Sequence, residues 1–231
     1  MKIHYSQLNE FISCPMSYKR RYIDGIKDEE KSSALEYGTA IHLAIKTHFE
    51  GGDGLGVFNL YWDSLKDTPM KYWRHGWSDL RNLANQSFLP NFFRLHAKKY
   101  VNTKQEELLE APLSDGTVIE GTFDMCAEYD GVLTLSDWKT ASKEYKKDKI
   151  IKNPQMYMYA HMYKHKYGEL PKQIQYKVLR KDNGSIQTLT HELTEEKLLL
   201  QLEQVSRIIK TIEHMTKTGN WYHTFECYCK E

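Results

Sequence analysis

Residues 121–141 read GTFDMCAEYDGVLTLSDWKTA. Two runs of strand-forming residues flank Asp130-Gly131, a dipeptide that tight hairpins favour because both of its positions must accept positive φ. The runs extend to about 117–129 and 131–139. Side chains alternate across a strand, so Asp137 and Lys139 share one face while Trp138 points to the other, into a packed layer. If the hairpin pairs its arms, Asp124 stands on the adjacent strand near the level of Asp137. Two carboxylates and an ammonium then converge on one patch.

Outward from this hairpin, a third strand at roughly 105–112 precedes it, with Asp115-Gly116 at the joint. A helix over about 152–167 follows and closes at Gly168. Strands at about 172–181 and 185–192 flank Asn183-Gly184, and a long helix runs from Thr194-Glu195-Glu196 to about Lys217 with an apolar side of Leu198, Leu202, Val205, Ile208, Ile209 and Ile212. The first hundred residues read as helices. Ser6 caps a short stretch with Leu8, Phe11 and Ile12 inward, and Pro15 suits the first turn of the next. Ser33–Phe49 places Leu35, Ile41, Ile45 and Phe49 on one side and ends at Gly51-Gly52; helical pattern continues over Val57–Leu65 and Ser78–Tyr100. The expectation is a mixed α/β domain: a central β-sheet flanked by helices, with a helical N-terminal elaboration (1–104), a sheet core (105–193) and a C-terminal helix and tail (194–231).

At 231 residues the chain supports one sizeable core, and its 40% hydrophobic and 27% charged content is that of an ordinary globular protein. No apolar run reaches membrane-spanning length and no secretory signal opens the chain, so no membrane partner and a cytoplasmic location, in a bacterial cell or a phage-infected host, are expected. A net charge of +1 announces no global nucleic-acid field. Local clusters exist at Lys19, Arg20, Arg21 and at Lys143, Lys146, Lys147, Lys149, each equally readable as a solvated face.

Paired carboxylates suit hard divalent cations, and a neighbouring lysine can orient a water or steady charge on a phosphate. An Asp-x-Lys triplet alone means little, since a chain of this length carries about one by chance. Its place on a strand after a hairpin whose other arm holds Asp124 gives it weight. Gln155 and Tyr159 share a face of the following helix, as Gly38 and His42 do on an earlier one. Gly38, Thr39 and Ala40 are small enough to let that helix approach another backbone.

Taken together these motifs resemble the RecB-like branch of the PD-(D/E)XK nuclease superfamily, with its CRISPR-associated and phage exonuclease members. The resemblance starts at SQLNEFISCPMSYKRRY (6–22) and continues through Gly38…His42, Gly121-x-x-Asp124, Asp137-x-Lys139, Gln155-x-x-x-Tyr159 and Cys227-x-Cys229, in order. It implies a restriction-endonuclease-like core. It also implies a metal-dependent DNA exonuclease in recombination, repair or replication, using Mg²⁺ or Mn²⁺ on DNA with a free end, alongside recombination or replication proteins. By the same resemblance His42, Asp124, Asp137 and the Trp138 carbonyl bind metal, Lys139 orients the nucleophilic water, and Gln155 and Tyr159 hold the lysine or the DNA backbone. A structure-specific or restriction-type endonuclease and a non-catalytic DNA-binding subunit are the competing readings. The intact carboxylates, lysine and histidine speak against the last.

Many such relatives carry an iron–sulfur cluster on one N-terminal and three C-terminal cysteines. Here Cys14, Cys227 and Cys229 leave that set one thiolate short, with Cys126 facing the same side as Asp124. A small buried thiol cluster tying the chain ends together is therefore expected in place of a cluster, with a zinc site completed by His223 as the lesser alternative.

Overall fold

Asp130 and Gly131 both adopt left-handed backbone, with φ of 48° and 81°. The turn therefore closes in two residues, and its twist matches that of the arms. The computed structural model containing this hairpin describes residues 2–26, 31–72 and 74–225. Its strands are β1 (Lys2–His4), β2 (Lys31–Ser32), β3 (Met70–Lys71), β4 (Tyr100–Pro112), β5 (Val118–Tyr129), β6 (Val132–Ala141), β7 (Gln173–Arg180) and β8 (Ile186–Glu192). Its helices are α1 (Tyr5–Ser13), α2 (Pro15–Tyr18), α3 (Ser33–Phe49), α4 (Gly54–Ser64), α5 (Trp77–Leu83), α6 (Leu89–Asn91), α7 (Lys149–Lys152), α8 (Pro154–Tyr167) and α9 (Glu195–Thr218). No helix among the described residues is long and apolar enough to cross a membrane.

Six strands form one mixed sheet in the order β1-β5-β6-β7-β8, with β4 on the far edge of β5. The β5–β6 hairpin and the β7–β8 pair are antiparallel, whereas β6 runs parallel to β7 because α8 carries the chain back between them. Helices α1, α8 and α9 cover one face over a core that includes Leu8, Ile119, Leu135, Met158 and Val205. Helices α3, α4 and α5 cover the other over Ile41, Trp62, Phe88, Met125 and Trp138. The expected central sheet flanked by helices is what the chain forms.

Several expectations need correction. A three-residue strand, β1, precedes the first helix, so the cap is His4 rather than Ser6, and its N–H donates to Gln7 Oε1 at 2.8 Å. Strand β4 starts at Tyr100, earlier than the predicted 105, because polar Lys104 and Gln105 continue the pairing with Cys126 and Met125. Ile12 and Leu35 are 47% and 70% exposed; both lie on the solvent side of helices whose opposite face supplies the core. A Cβ at Gly38 would meet nothing within 4 Å, so this glycine opens onto a cleft and does not let two backbones approach.

Two irregularities create the site. On one edge of β5, β1 pairs with residues 118–120 and β6 with residues 125–129, which leaves Gly121–Asp124 without a strand neighbour there. On the other edge the β4 ladder steps from Gln105↔Met125 to Glu107↔Phe123 and skips Glu106 and Asp124. Glu106 has a φ of 41°, and although the register is the same on either side of it, Phe123 and Met125 pack into opposite cores. Phe123 and Cys126, three residues apart, both pack under α8 as a result.

Candidate active site

Above Ser136 strand β6 has lost β5, so the Trp138 N–H and C=O need other partners. Asp124 takes the strand's place: its Oδ2 accepts the Trp138 N–H at 2.6 Å. His42 of α3 spans the remaining gap, with Nδ1 3.2 Å from Asp124 Oδ1 and Nε2 3.0 Å from the Trp138 carbonyl. The Trp138 ring is buried on the opposite face, edge-on to Phe92 and Tyr100, and locks the strand that carries these groups.

On the α8 side, the Lys139 ammonium lies 2.7 Å from Asp137 Oδ2 and donates to Gln155 Oε1 at 2.9 Å. Gln155 Nε2 in turn donates to the Tyr159 hydroxyl at 3.1 Å. Asn153 caps α8 by accepting the Gln155 N–H, which fixes the first turn from which Gln155 reaches the lysine. Gly121 leaves room for this arrangement: a Cβ there would fall 2.8 Å from Tyr159 Cε1. All seven residues expected at the site are therefore in one place: Asp124, Trp138 and His42 in one linked group, Asp137, Lys139, Gln155 and Tyr159 in the next.

Electrostatics follow from burial and pairing. Burial pushes the Asp137 carboxyl up to about 6, because the lysine offsets only part of its desolvation. Burial is the largest influence on Asp124 and works against its charge, but His42, Lys139 and the Trp138 N–H together outweigh it and hold that carboxyl below the usual range. Burial lowers His42, and Asp124 more than reverses this, to about 9. Lys139 is desolvated as well, yet its two carboxylate neighbours hold its pKa above the ordinary lysine value.

Sequence reasoning missed two tyrosines here. Tyr5 is carried in by β1, its pKa raised by burial, beside Asn153 and the charges of Lys139 and Asp137. Tyr176 pairs with Asp137 across β6–β7 and puts its ring 5.7 Å beneath the Lys139 ammonium. A three-residue strand joined to a partner more than a hundred positions away leaves no sequence signal.

Among the described residues no three His, Cys, Asp or Glu side chains gather into a ready metal cluster. The donors nevertheless suit a divalent cation in kind: two carboxylates, an imidazole and a carbonyl in two adjoining groups, with the buried Asp137 carboxylate met by Lys139 in the second.

The cysteines divide. Cys126 is a free, buried thiol beside Tyr163, its pKa pushed up to about 12 by burial. Cys14 is buried near the other chain end: its Sγ lies 4.0 Å from His223 Nδ1, and Thr224 donates to the Ser13 carbonyl at 2.8 Å. The two ends thus meet as expected, while Cys227 and Cys229 lie outside the described residues.

A family model of the PD-(D/E)XK nuclease superfamily matches residues 3–229. The chain belongs to that superfamily. Among solved structures it resembles a protein from Eubacterium rectale provisionally named an exonuclease, at 16% identity over 99% of this chain and 86% of that one, with a TM-score of 0.68. That likeness concerns the fold. A weaker match, at 14% identity and a TM-score of 0.36 over 89% of this chain and 82% of the other, is to a structure named SSO0001 and supports no argument. No curated protein matches the chain.

Proposed function

We propose that this superfamily member is a divalent-metal-dependent deoxyribonuclease that degrades DNA from its ends. The observation that carries the reading is the convergence of Asp124, His42 and the Trp138 carbonyl on one side of a buried Asp137 paired with Lys139. Asp124, Asp137, His42 and the Trp138 carbonyl are the groups to hold Mg²⁺ or Mn²⁺. A bound divalent ion supplies Lewis acidity toward the phosphate and lowers the pKa of a coordinated water.

The chain's own groups supply position. The Lys139 ammonium, held between Asp137 and Gln155, donates to an attacking water or a phosphate oxygen and steadies charge as the in-line displacement proceeds. Gln155 and Tyr159 fix that ammonium from α8, so its aim depends on a helix and not on a loop. Gly38, Thr39, Leu35 and Glu106 line an open cleft above His42 and Lys139, where a strand can lie. The preference for ends is taken from the name of the Eubacterium rectale neighbour, whose fold covers nearly all of this chain. An exonuclease leaves covalently closed circular DNA intact while degrading the same DNA once linearised. Rapid nicking of the closed circle assigns an endonuclease instead.

A further inference from the structure

Beside the cleft that holds His42 and Lys139 lies a second one of about 520 Å³, lined by Arg74, His75, Lys143, Glu144, Lys149 and Lys181 among others. Ala34, in the first turn of α3, borders both, so the two clefts adjoin there. The second begins at Ala141, two residues beyond Lys139 on β6, or roughly 6.6 Å at about 3.3 Å per residue.

Among the described residues the lining of this cleft holds more cations than carboxylates. Elsewhere some surface cations are paired, as Lys19 is with Asp24, Lys46 with Glu106, Lys99 with Asp130 and Lys164 with Glu195, and others such as Lys66, Arg94 and Lys172 are not, among the described residues; what sets this cleft apart is that its cations line one concave surface. The cleft's single carboxylate, Glu144, is engaged by Arg180 at 3.8 Å and Gln187 at 3.2 Å. Arg74, Lys143 and Lys181 form no ion pair among the described residues. Lys181 is half-buried, and its desolvation lowers its pKa with no carboxylate to offset the cost. The Tyr145 ring is covered by the Lys149 ammonium at 3.5 Å, so it offers no free face for stacking a base. The other lysines of the sequence cluster, Lys146 and Lys147, lie outside the cleft.

Resting on the nuclease reading, we infer that this cleft is a phosphodiester subsite: Arg74, Lys143, Lys149 and Lys181 take backbone phosphates of the bound strand next to the scissile bond. Recognition there is of charge and not of bases, so the subsite adds affinity without sequence preference.

The test is fluorescence anisotropy of a labelled 12-nucleotide single strand, with and without a 5′-phosphate, titrated with the full chain in EDTA so that nothing is cut. Lys143→Ala/Lys181→Ala is expected to weaken binding at least tenfold at about 0.1 M salt and to flatten the salt dependence by about 1.4, at about 0.7 per lost phosphate contact. Lys146→Ala/Lys147→Ala serves as the control and is expected to leave both unchanged. Lys143→Glu alone, at an exposed position, gives the same direction without disturbing folding. Wild-type affinity and slope in the cleft variants, or equal losses in the control pair, overturn the inference. An effect confined to the 5′-phosphorylated strand overturns the backbone assignment in favour of a terminal phosphate. The nuclease reading is judged separately by cleavage in Mg²⁺ with Asp124→Asn. If the wild-type protein binds through the cleft but never cuts, that reading fails and the subsite stands.

Discussion

Gly121→Ala places one methyl group where the structure has no room for it. The new Cβ would lie 2.8 Å from Tyr159 Cε1 and 3.5 Å from Met162 Cε. An ordinary carbon–carbon contact is about 3.6 Å, so the ring has to retreat by roughly 0.8 Å. Tyr159 is 8% exposed and packed, which makes the retreat cost about 1–3 kcal/mol, the usual range for an overpacked core. The functional cost arises further along. Tyr159 holds Gln155, and Gln155 holds the Lys139 ammonium. A misplacement of about 1 Å at a positioning group lowers turnover up to about 100-fold. The expected outcome is a melting temperature lowered by several degrees and a kcat on linear DNA lowered at least tenfold. Gly131→Ala is the matched control. Its φ of 81° makes alanine cost a comparable amount of stability, in a turn at the far end of the hairpin, with turnover retained. In a Tyr159→Leu background, which removes the ring, Gly121→Ala should add little. Wild-type turnover in Gly121→Ala, or a loss no larger than the unfolded fraction explains, refutes the reasoning.

Two further outcomes test the account away from the reacting groups. Lys177 is fully buried on β7, with Tyr129 and Thr188 hydroxyls at 2.8 and 2.9 Å and His96, Lys99 and Asp130 as its titratable surroundings. Burial pushes its pKa down to about 7, so the folded state binds this proton less tightly than the unfolded one. Stability from this group therefore rises with pH between about 7 and 10.5, and the penalty is complete below 7. Lys177→Met is expected to gain stability over wild type most below pH 7 and progressively less as pH rises, read from melting temperatures at pH 6, 8 and 9.5; parallel profiles would count against it. At Glu106 both Gly and Ala lose the part-exposed pair with Lys46, but only Gly relieves the φ of 41°. Glu106→Gly should be about 1 kcal/mol more stable than Glu106→Ala in denaturant titrations, and equal stability would show that the strand is not strained there.

The hairpin was legible because Asp130-Gly131 has few other uses between two strands, and a period of two then sets Asp137 and Lys139 side by side. Helix α3 was legible to its ends, yet the destination of Leu35 was not: an apolar position on an amphipathic helix reads the same whether it faces a core or the lip of a cleft. The irregularity at Glu106 was hidden because nothing in a glutamate announces positive φ. With it was hidden the reason Asp124 replaces a strand partner for Trp138. Tyr5, Tyr176 and the burial of Lys177 come from contacts made only after the sheet has formed, which local pattern does not carry. The pairing of His42 with Asp124 entered through a family resemblance, and the bottom-up signal for it was only a shared helix face with Gly38.

The central claim, that Asp137, Lys139 and Asp124 carry metal-dependent phosphodiester hydrolysis, is tested most directly by single-turnover digestion of end-labelled linear DNA in Mg²⁺ or Mn²⁺, wild type against Lys139→Ala. The account predicts cleavage by the wild type, none in excess EDTA, and a loss of roughly 100- to 1,000-fold in the variant with its fold intact by circular dichroism. Undiminished cleavage in EDTA, or a Lys139→Ala protein that cuts at the wild-type rate, would contradict it.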